Sequence, residues 1–357
     1  MGYENMSKEK DLFEEIWEKE IVKNLDHLAP ERKKAERRFL GGVGLGFMIL
    51  LLFWTIIGVI SGNEVWSSLF GTISLLVWVV FLLGLVILSV YFSLLIKNNK
   101  NNYSIGYKER VFNIIFGYTK FNWKFLRYSS PPDKFFIKED NPEGNLEEEF
   151  KESNLYSGYQ DVVSDDVIAT KYNDVDLTAS EIVATYTVQD KNGSHKNIVF
   201  EGFFIEIKLD KPFTGETYVM TEKDRSYFTG GHSMNIDREN IREATLEWNE
   251  FEEFLVVKTD NQIEAREIFA PDFMAVIYNW WIEHKRNIRF VFKGSKIYIS
   301  IPSKVNFEPF LFGSKDREKM IIKEHLELLW FIEKLTEILI YHSRHKVEKV
   351  GPNLATL

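Results

Sequence analysis

Six carboxylates stand close together in the middle of the chain: Asp161, Asp165, Asp166, Asp174, Asp176 and Glu181. Grouped acids can hold a hard divalent cation or divide acid and base roles. These lack the glycine and the terminal glutamate of a calcium-binding loop, so solvated loop acids are expected. The seven histidines are His27, His195, His232, His284, His325, His342 and His345. His342 and His345 share a helix face, but no H-E-x-x-H and no third ligand accompany them, so no zinc site is expected. A nucleophile elbow, G-x-S-x-G, is absent. Ser233 beside His232, in FTGGHSMN, reads as a turn. The reading is of no catalytic residue, no metal ligand and no cofactor.

Glycine-rich GGVGLG, residues 41–46, could in principle cradle a phosphate. Its glycines miss the G-x-G-x-x-G spacing, and charged ERKKAERR stands where a strand should precede. The glycines sit instead in an uncharged run of 22 residues, Phe39 to Ile60. As a helix this run would span about 33 Å, against a hydrocarbon core of about 30 Å. Its Leu, Ile, Val and Phe residues favour insertion by about 4 to 8 kcal/mol before the glycines and Thr55 are set against them. Gly42 and Gly46 form a small-xxx-small pair that lets another helix approach, a membrane helix-packing site.

A second uncharged run, Leu69 to Ile96, follows after SGNEVWSS and predicts an antiparallel transmembrane hairpin, with Trp66 at an interface. Arg32, Lys33, Lys34, Arg37 and Arg38 precede the first run; Lys97, Lys100, Lys108 and Arg110 follow the second. The connecting loop has no basic residue. The positive-inside rule then puts both termini in the cytoplasm. A cleaved signal peptide is not expected, because a long charged segment comes first. Neither run carries an ionisable group, so the hairpin reads as an anchor and not a channel.

Residues 97–357 remain for a folded part. They are mildly acidic, which disfavours a broad nucleic-acid-binding face. The chain has no cysteine, which excludes disulfides and thiolate metal sites. Its wealth of Lys, Asn, Ile and Phe hints at an AT-rich bacterial genome.

Residues 1–38 predict an amphipathic helix with Phe13, Ile16, Trp17, Ile21, Leu25 and Leu28 on one stripe, ended or restarted at Pro30. Its mixed charge favours packing on protein over lying on lipid. Residues 39–96 form the hairpin and 97–357 the cytoplasmic domain. In that domain a short helix is expected over Tyr107 to Tyr118, then a strand in KFNWKFLRY with Phe121, Trp123 and Phe125 inward, or against the bilayer surface. A helix in LEEEFKESNLY precedes strands at 167–172, 181–189, 197–209, 217–221 and 254–259. Asn192-Gly193 tips a hairpin, and residues 222–245 read as an exposed loop. Two helices follow, the second with Pro271 in its first turn. A hairpin across Gly294-Ser295 and a long helix over about 315–345 close the chain. Sequential hairpins with helices between them define an α+β fold built on antiparallel sheet.

Residues 250–275, EFEEFLVVKTDNQIEAREIFAPDFMA, resemble the signature of a bacterial membrane-protein family, domain of unknown function 3137. SNLYSGYQDVVSDDVIATKY, the acid of ASEI at Glu181, and VFEGFFIEIKLDKPFTGETYV are similar to it too, so the resemblance covers nearly the whole chain. It implies a bacterial membrane protein with a cytoplasmic α+β domain, and no catalytic residues. Because it concentrates at 250–275, Asp260, Glu264 and Arg266 become the candidate polar site, with capping or pairing inside the fold as the plainer role.

The function expected is that of a membrane-anchored cytoplasmic binding or scaffold protein, non-catalytic, in the inner membrane. Its partners would be the lipid bilayer and an unknown protein or further copies of itself. The alternatives are an enzyme or carrier acting on a lipid or membrane-bound substrate, and an oligomeric pore-like assembly.

Overall fold

The computed structural model describes residues 11–61, 103–129, 135–137, 146–190, 193–222, 234, 236, 240–310, 312 and 314–350. The loop between the two apolar runs, the whole second run, and His232 and Ser233 lie outside the described residues, as do Asn192 and most of 222–245.

One antiparallel sheet of ten strands organises the chain, in the order β2-β1-β3-β4-β5-β10-β9-β6-β8-β7. Its strands are β1 Lys124–Ser129, β2 Phe135–Ile137, β3 Asp161–Tyr172, β4 Val175–Asp190, β5 Gly193–Lys208, β6 Thr217–Thr221, β7 Arg242–Glu243, β8 Leu255–Thr259, β9 Arg289–Lys293 and β10 Lys296–Pro302. The sheet is buried on both faces. In β10, Ile297, Ile299 and Ile301 enter one core, while Tyr298 enters the other. In β5, Phe203, Ile205 and Ile207 face the first, and Phe200 and Phe204 the second. Side chains alternate along a strand, so a strand buried on both sides must be apolar at nearly every position.

Helical segments at 11–16 and 103–107 and π turns at Trp17–Ile21 and Lys108–Phe112 accompany seven numbered α-helices. They are α1 Val22–Ser61, α2 Asn113–Gly117, α3 Leu146–Glu152, α4 Asn249–Glu252, α5 Gln262–Ile268, α6 Pro271–His284 and α7 Lys315–Val350. The first core is covered by the N-terminal helical segment, α6 and α7; the second lies under α3. Phe13, Ile16, Trp17, Ile21, Leu25 and Leu28 are all buried, as their spacing requires. So are Ile322, Leu329, Ile332, Leu335 and Leu339 of α7. Pro271 occupies the first turn of α6, where its missing N–H costs nothing.

Three expectations are corrected. Pro30 neither ends nor opens a helix; it lies inside α1, which continues without a break into the first apolar run. Strands β3, β4 and β5 start earlier than their apolar patterns suggested, because polar residues such as Asp161 and Ser194 still pair in register. Phe121 and Trp123 are buried as expected, but the strand itself begins only at Lys124. Asn122, at φ 52°, turns the chain before it.

Among the residues whose side chains are described, no helix is long and apolar enough to cross a membrane. That set excludes residues 45 and 50–61 of α1 and all of the second apolar run. Leu40, Val43, Phe47 and Met48 of α1 are exposed, and nothing lies within 4 Å of the position a Cβ would take at Gly46.

At Gly202 of β5 the neighbouring backbone of β10 leaves no room for a side chain. A Cβ there would stand 2.3 Å from the Ile301 carbonyl oxygen and 2.6 Å from the Ser303 nitrogen. Backbone atoms in a central strand cannot swing aside. Gly202→Ala is therefore expected to cost about 2–4 kcal/mol of stability, read as an earlier urea midpoint for the detergent-solubilised chain; an unchanged midpoint would contradict this packing.

Candidate functional site

Lys108 is the least expected charge in the protein. It lies in a π-helical turn, Lys108–Phe112, between helical residues 103–107 and α2. A π turn inserts one residue into the helical register and so offsets the faces on either side of it. Tyr107, Lys108, Val111 and Phe112 consequently all point inward, and Lys108 is fully buried. Its Nζ donates to Asp166 Oδ1 at 2.8 Å and lies 2.7 Å from Oδ2. It also donates to Glu308 Oε1, whose other oxygen accepts from Ser104 Oγ at 2.7 Å.

Asp166 owes its position to a β-bulge. The β3–β4 register shifts between Ser164 and Val167, so Asp165 and Asp166 occupy the bulged segment. Glu181 comes from β4, opposite Phe203, and accepts from the Phe307 backbone N–H. One ammonium thus faces Asp166, Glu181 and Glu308, with Asp165 nearby. Burial works against the charge on Lys108, but Asp166 and Glu308 outweigh it and push its pKa up to about 12. Burial raises Asp166 to about 7, against the opposing pull of Lys108. Glu181 is pushed well above the usual carboxylate range, first by burial and then by Asp166. The physical reading is that Lys108 carries its charge and Glu181 its proton, since too few cations face these acids for all to ionise.

The expectation of solvated loop acids is therefore wrong in two ways: five of the six lie on strands, and two are buried. All six lie on β3, β4 or the turn between them; Asp161 and Asp174 are exposed, while Asp166 and Glu181 are buried. Alternation predicts one buried side per strand, but only the bulge brings Asp166 to the side that Lys108 occupies. Among the described residues, no group of three or more His, Asp or Glu could hold a metal ion.

His325 of α7 sits beside this cluster, ringed by Phe112, Phe203 and Phe307 at 4.7 to 5.4 Å between ring centres. Its Nδ1–H donates to the Ile321 carbonyl at 2.8 Å. Burial lowers its pKa to about 4, which keeps it neutral. His342, assigned no role from sequence, pairs with Asp272 at 2.9 Å.

Asp260 and Glu264 converge on one turn, Arg266 bonds elsewhere, and each is engaged with backbone. Glu264 accepts from the Thr214 and Gly215 N–H groups at 2.8 Å, and Asp260 from Glu216 N–H at 2.7 Å. Asn261 caps α5 by accepting from Glu264 N–H at 3.1 Å. Arg266 donates to the Thr245 carbonyl at 3.3 Å. The acids clamp the 214–216 turn, whose Gly215 has no room for a Cβ beside Asp260 and Asn261. A shallow depression lined by Thr214, Asn240, Arg242, Thr259 and Gln262 borders them.

The architecture is that of an α+β protein whose single antiparallel sheet is covered on both faces. Residues 198–339 match the family described as Protein of unknown function (DUF3137). The match runs from β5 through most of α7 and includes the 250–275 block; it is narrower than the nearly full-length resemblance expected. Lys108, Asp166 and Glu181 lie outside it, and Glu308 within it. No curated protein matches the chain. Among solved structures, the mycobacterial trehalose monomycolate transport factor A, TtfA, aligns at 8% identity over 48% of this chain and 75% of that one, with a TM-score of 0.24. A likeness that slight carries no argument.

Lys108→Met is expected to destabilise the protein by about 3–5 kcal/mol, because it leaves buried carboxylates without their cation. Glu181→Gln keeps an acceptor for Phe307 N–H and is expected to cost less than about 1 kcal/mol. Both acids have folded pKa values above their unfolded ones, 3.8 for Asp166 and 4.5 for Glu181. Their contributions are thus complete below those values and are lost as pH rises through the folded ones. Buried neutral His325 works the other way, so the check is differential: relative to Asp166→Asn or Glu181→Gln, wild type should lose unfolding free energy between pH 4 and pH 7 in urea titrations. At the other cluster, Glu264→Ala should speed amide hydrogen exchange at Thr214 and Gly215 by at least about tenfold; unchanged exchange would mean the clamp is not what holds the turn.

Proposed function

We propose that this is a membrane-anchored, non-catalytic binding or scaffold protein of a bacterial inner membrane. In this reading a two-helix hairpin, residues 39–96, holds the α+β domain on the cytoplasmic side with both termini inside.

The observation that carries the reading is the adjacency of the segments that flank the two apolar runs. A Cβ at Gly106 would stand 3.1 Å from Leu28 Cδ2 and 3.5 Å from Glu31 Oε2, so helical segment 103–107 lies directly against α1. Tyr103 comes within hydrogen-bonding reach of Arg32. The chain leaves the domain at one end of α1 and returns beside it. In this reading the residues between make an even number of crossings. A second support is the exposure of Leu40, Val43, Phe47 and Met48, at 56 to 63%. Together with Phe39 they cover about half the helix circumference at 100° per residue. Water would disfavour such a surface; lipid would not.

The binding role rests on a different feature. Residues 186–190 of β4 and 193–197 of β5 form ladder pairs only with each other, past the ends of β3 and β10; Gln160 and Asp161 reach Thr187 and Lys196 with their side chains, and Val188 and neighbouring Ile198 are exposed. A two-stranded ribbon running past its neighbouring strands offers edges to which a partner strand can add. Gly42 and Gly46 remain candidates for contact with another membrane helix, in a second copy of the chain.

The absence of cysteine makes the topology directly testable. In intact cells, a membrane-impermeant maleimide should label Asn63→Cys in the connecting loop. Lys196→Cys in the ribbon should react only after lysis. Labelling of Lys196→Cys in intact cells, or release of the protein by alkaline carbonate, would overturn the anchor.

A further inference from the structure

We infer that the outer face of α1, one to two turns ahead of the apolar run, is a binding groove for the phosphate of anionic phospholipid headgroups. This rests on the anchor proposed above and goes beyond it, since an anchor needs only apolar length.

Four basic side chains, Lys33, Lys34, Arg37 and Arg38, rim a depression of about 540 Å³ with Ala29 and Pro30 on its floor. All four are exposed, and no ion pair among the described residues engages them. Their position follows from how the helix divides. Leu25, Leu28 and Ala35 are buried, and Arg32 on the same side pairs with Glu318 at 2.9 Å and Glu36 at 3.1 Å. Neighbouring acids are therefore spent on Arg32, not on the outer four. Asp26, the one acid on the rim, is drawn off by Lys315 at 2.9 Å.

Height selects the occupant. At 1.5 Å per residue, Lys33 to Arg38 stand about 2 to 9 Å from Phe39, where the apolar run begins. The polar layer on each side of a bilayer is about 5 to 8 Å thick. The four cations thus fall at the depth of lipid phosphates. Phe312, half exposed and edge-on to Phe39 at 5.3 Å, sits at the same boundary, where aromatic rings are favoured. Arginine forks match phosphate oxygens in pairs, and lysines add point charge.

The test uses the full chain in a neutral detergent, with phosphatidylglycerol or phosphatidylcholine added and bound lipid counted by native mass spectrometry. Wild type should retain phosphatidylglycerol at least about tenfold more than phosphatidylcholine. The K33Q/K34Q/R37Q/R38Q variant, altered only at exposed positions, should lose that preference while keeping its urea midpoint. Inorganic phosphate at millimolar concentration should not displace the lipid; displacement would mean a free-anion site and overturn the assignment to lipid. Equal retention of the two lipids by wild type, or an unaltered preference in the variant, would also overturn it. Insertion is read separately, as alkaline-resistant retention in vesicles of phosphatidylcholine alone, which needs no anionic headgroup. Retention there without a phosphatidylglycerol preference defeats the groove alone; loss of retention defeats the anchor and the groove with it.

Discussion

A lysine removed from water has to find its counter-charge within hydrogen-bonding distance, or give up its proton. Lys108 finds Asp166 and Glu308, and in doing so joins three parts of the chain that are far apart in sequence. The helix that carries it packs against α1. Asp166 belongs to β3. Glu308 follows β10 and precedes α7. The cost of an unpaired buried charge ties the 103–117 helix to this place on the sheet, since a shift would part Lys108 from Asp166. Glu181 extends the constraint to the 307 backbone, and the aromatic rings around His325 seal it from solvent.

Helix α7 is the second fastening. Glu333 accepts from Lys120 N–H, Phe121 N–H and Trp123 Nε1–H, each at 3.0 Å. Burial raises its pKa, and those three donors oppose the rise. Near its start α7 meets the N-terminal helix through Lys315–Asp26 and Lys319–Glu14. Those exposed pairs add little energy. The buried stripe of Ile322, Leu329 and Leu335 does most of the holding, with the ions setting register.

Elements with a strong period were readable from sequence. The stripe from Phe13 to Leu28, the hairpin at Gly294 and the start of α6 at Pro271 were all legible, because local chemistry and burial agree there. The strand starts were not, since Asp161 and Ser194 look like loop residues until their partners are known. The buried cluster was also hidden. Asp166 and Glu181 stood out as acids, but their burial depends on a bulge and a π turn, each a one-residue insertion that shifts a face without leaving a compositional mark. Asp260, Glu264 and Arg266 were singled out only because the resemblance concentrates around them; the engagement of Asp260 and Glu264 with the 214–216 backbone became visible only once that turn was seen to lie against them.

The unbroken course of α1 has a mechanical meaning. Its peptide hydrogen bonds run from the segment packed on the sheet core straight into the apolar run, so no loose joint separates the two. Pro30 is the one place where the ladder lacks a rung. A helix of this kind works as a mast stepped into the domain: from Leu28 to Phe39 it fixes a standoff of about 16 Å at 1.5 Å per residue. Any lean of this helix is passed to the sheet through Leu25 and Leu28, which are packed in the core that the sheet shares.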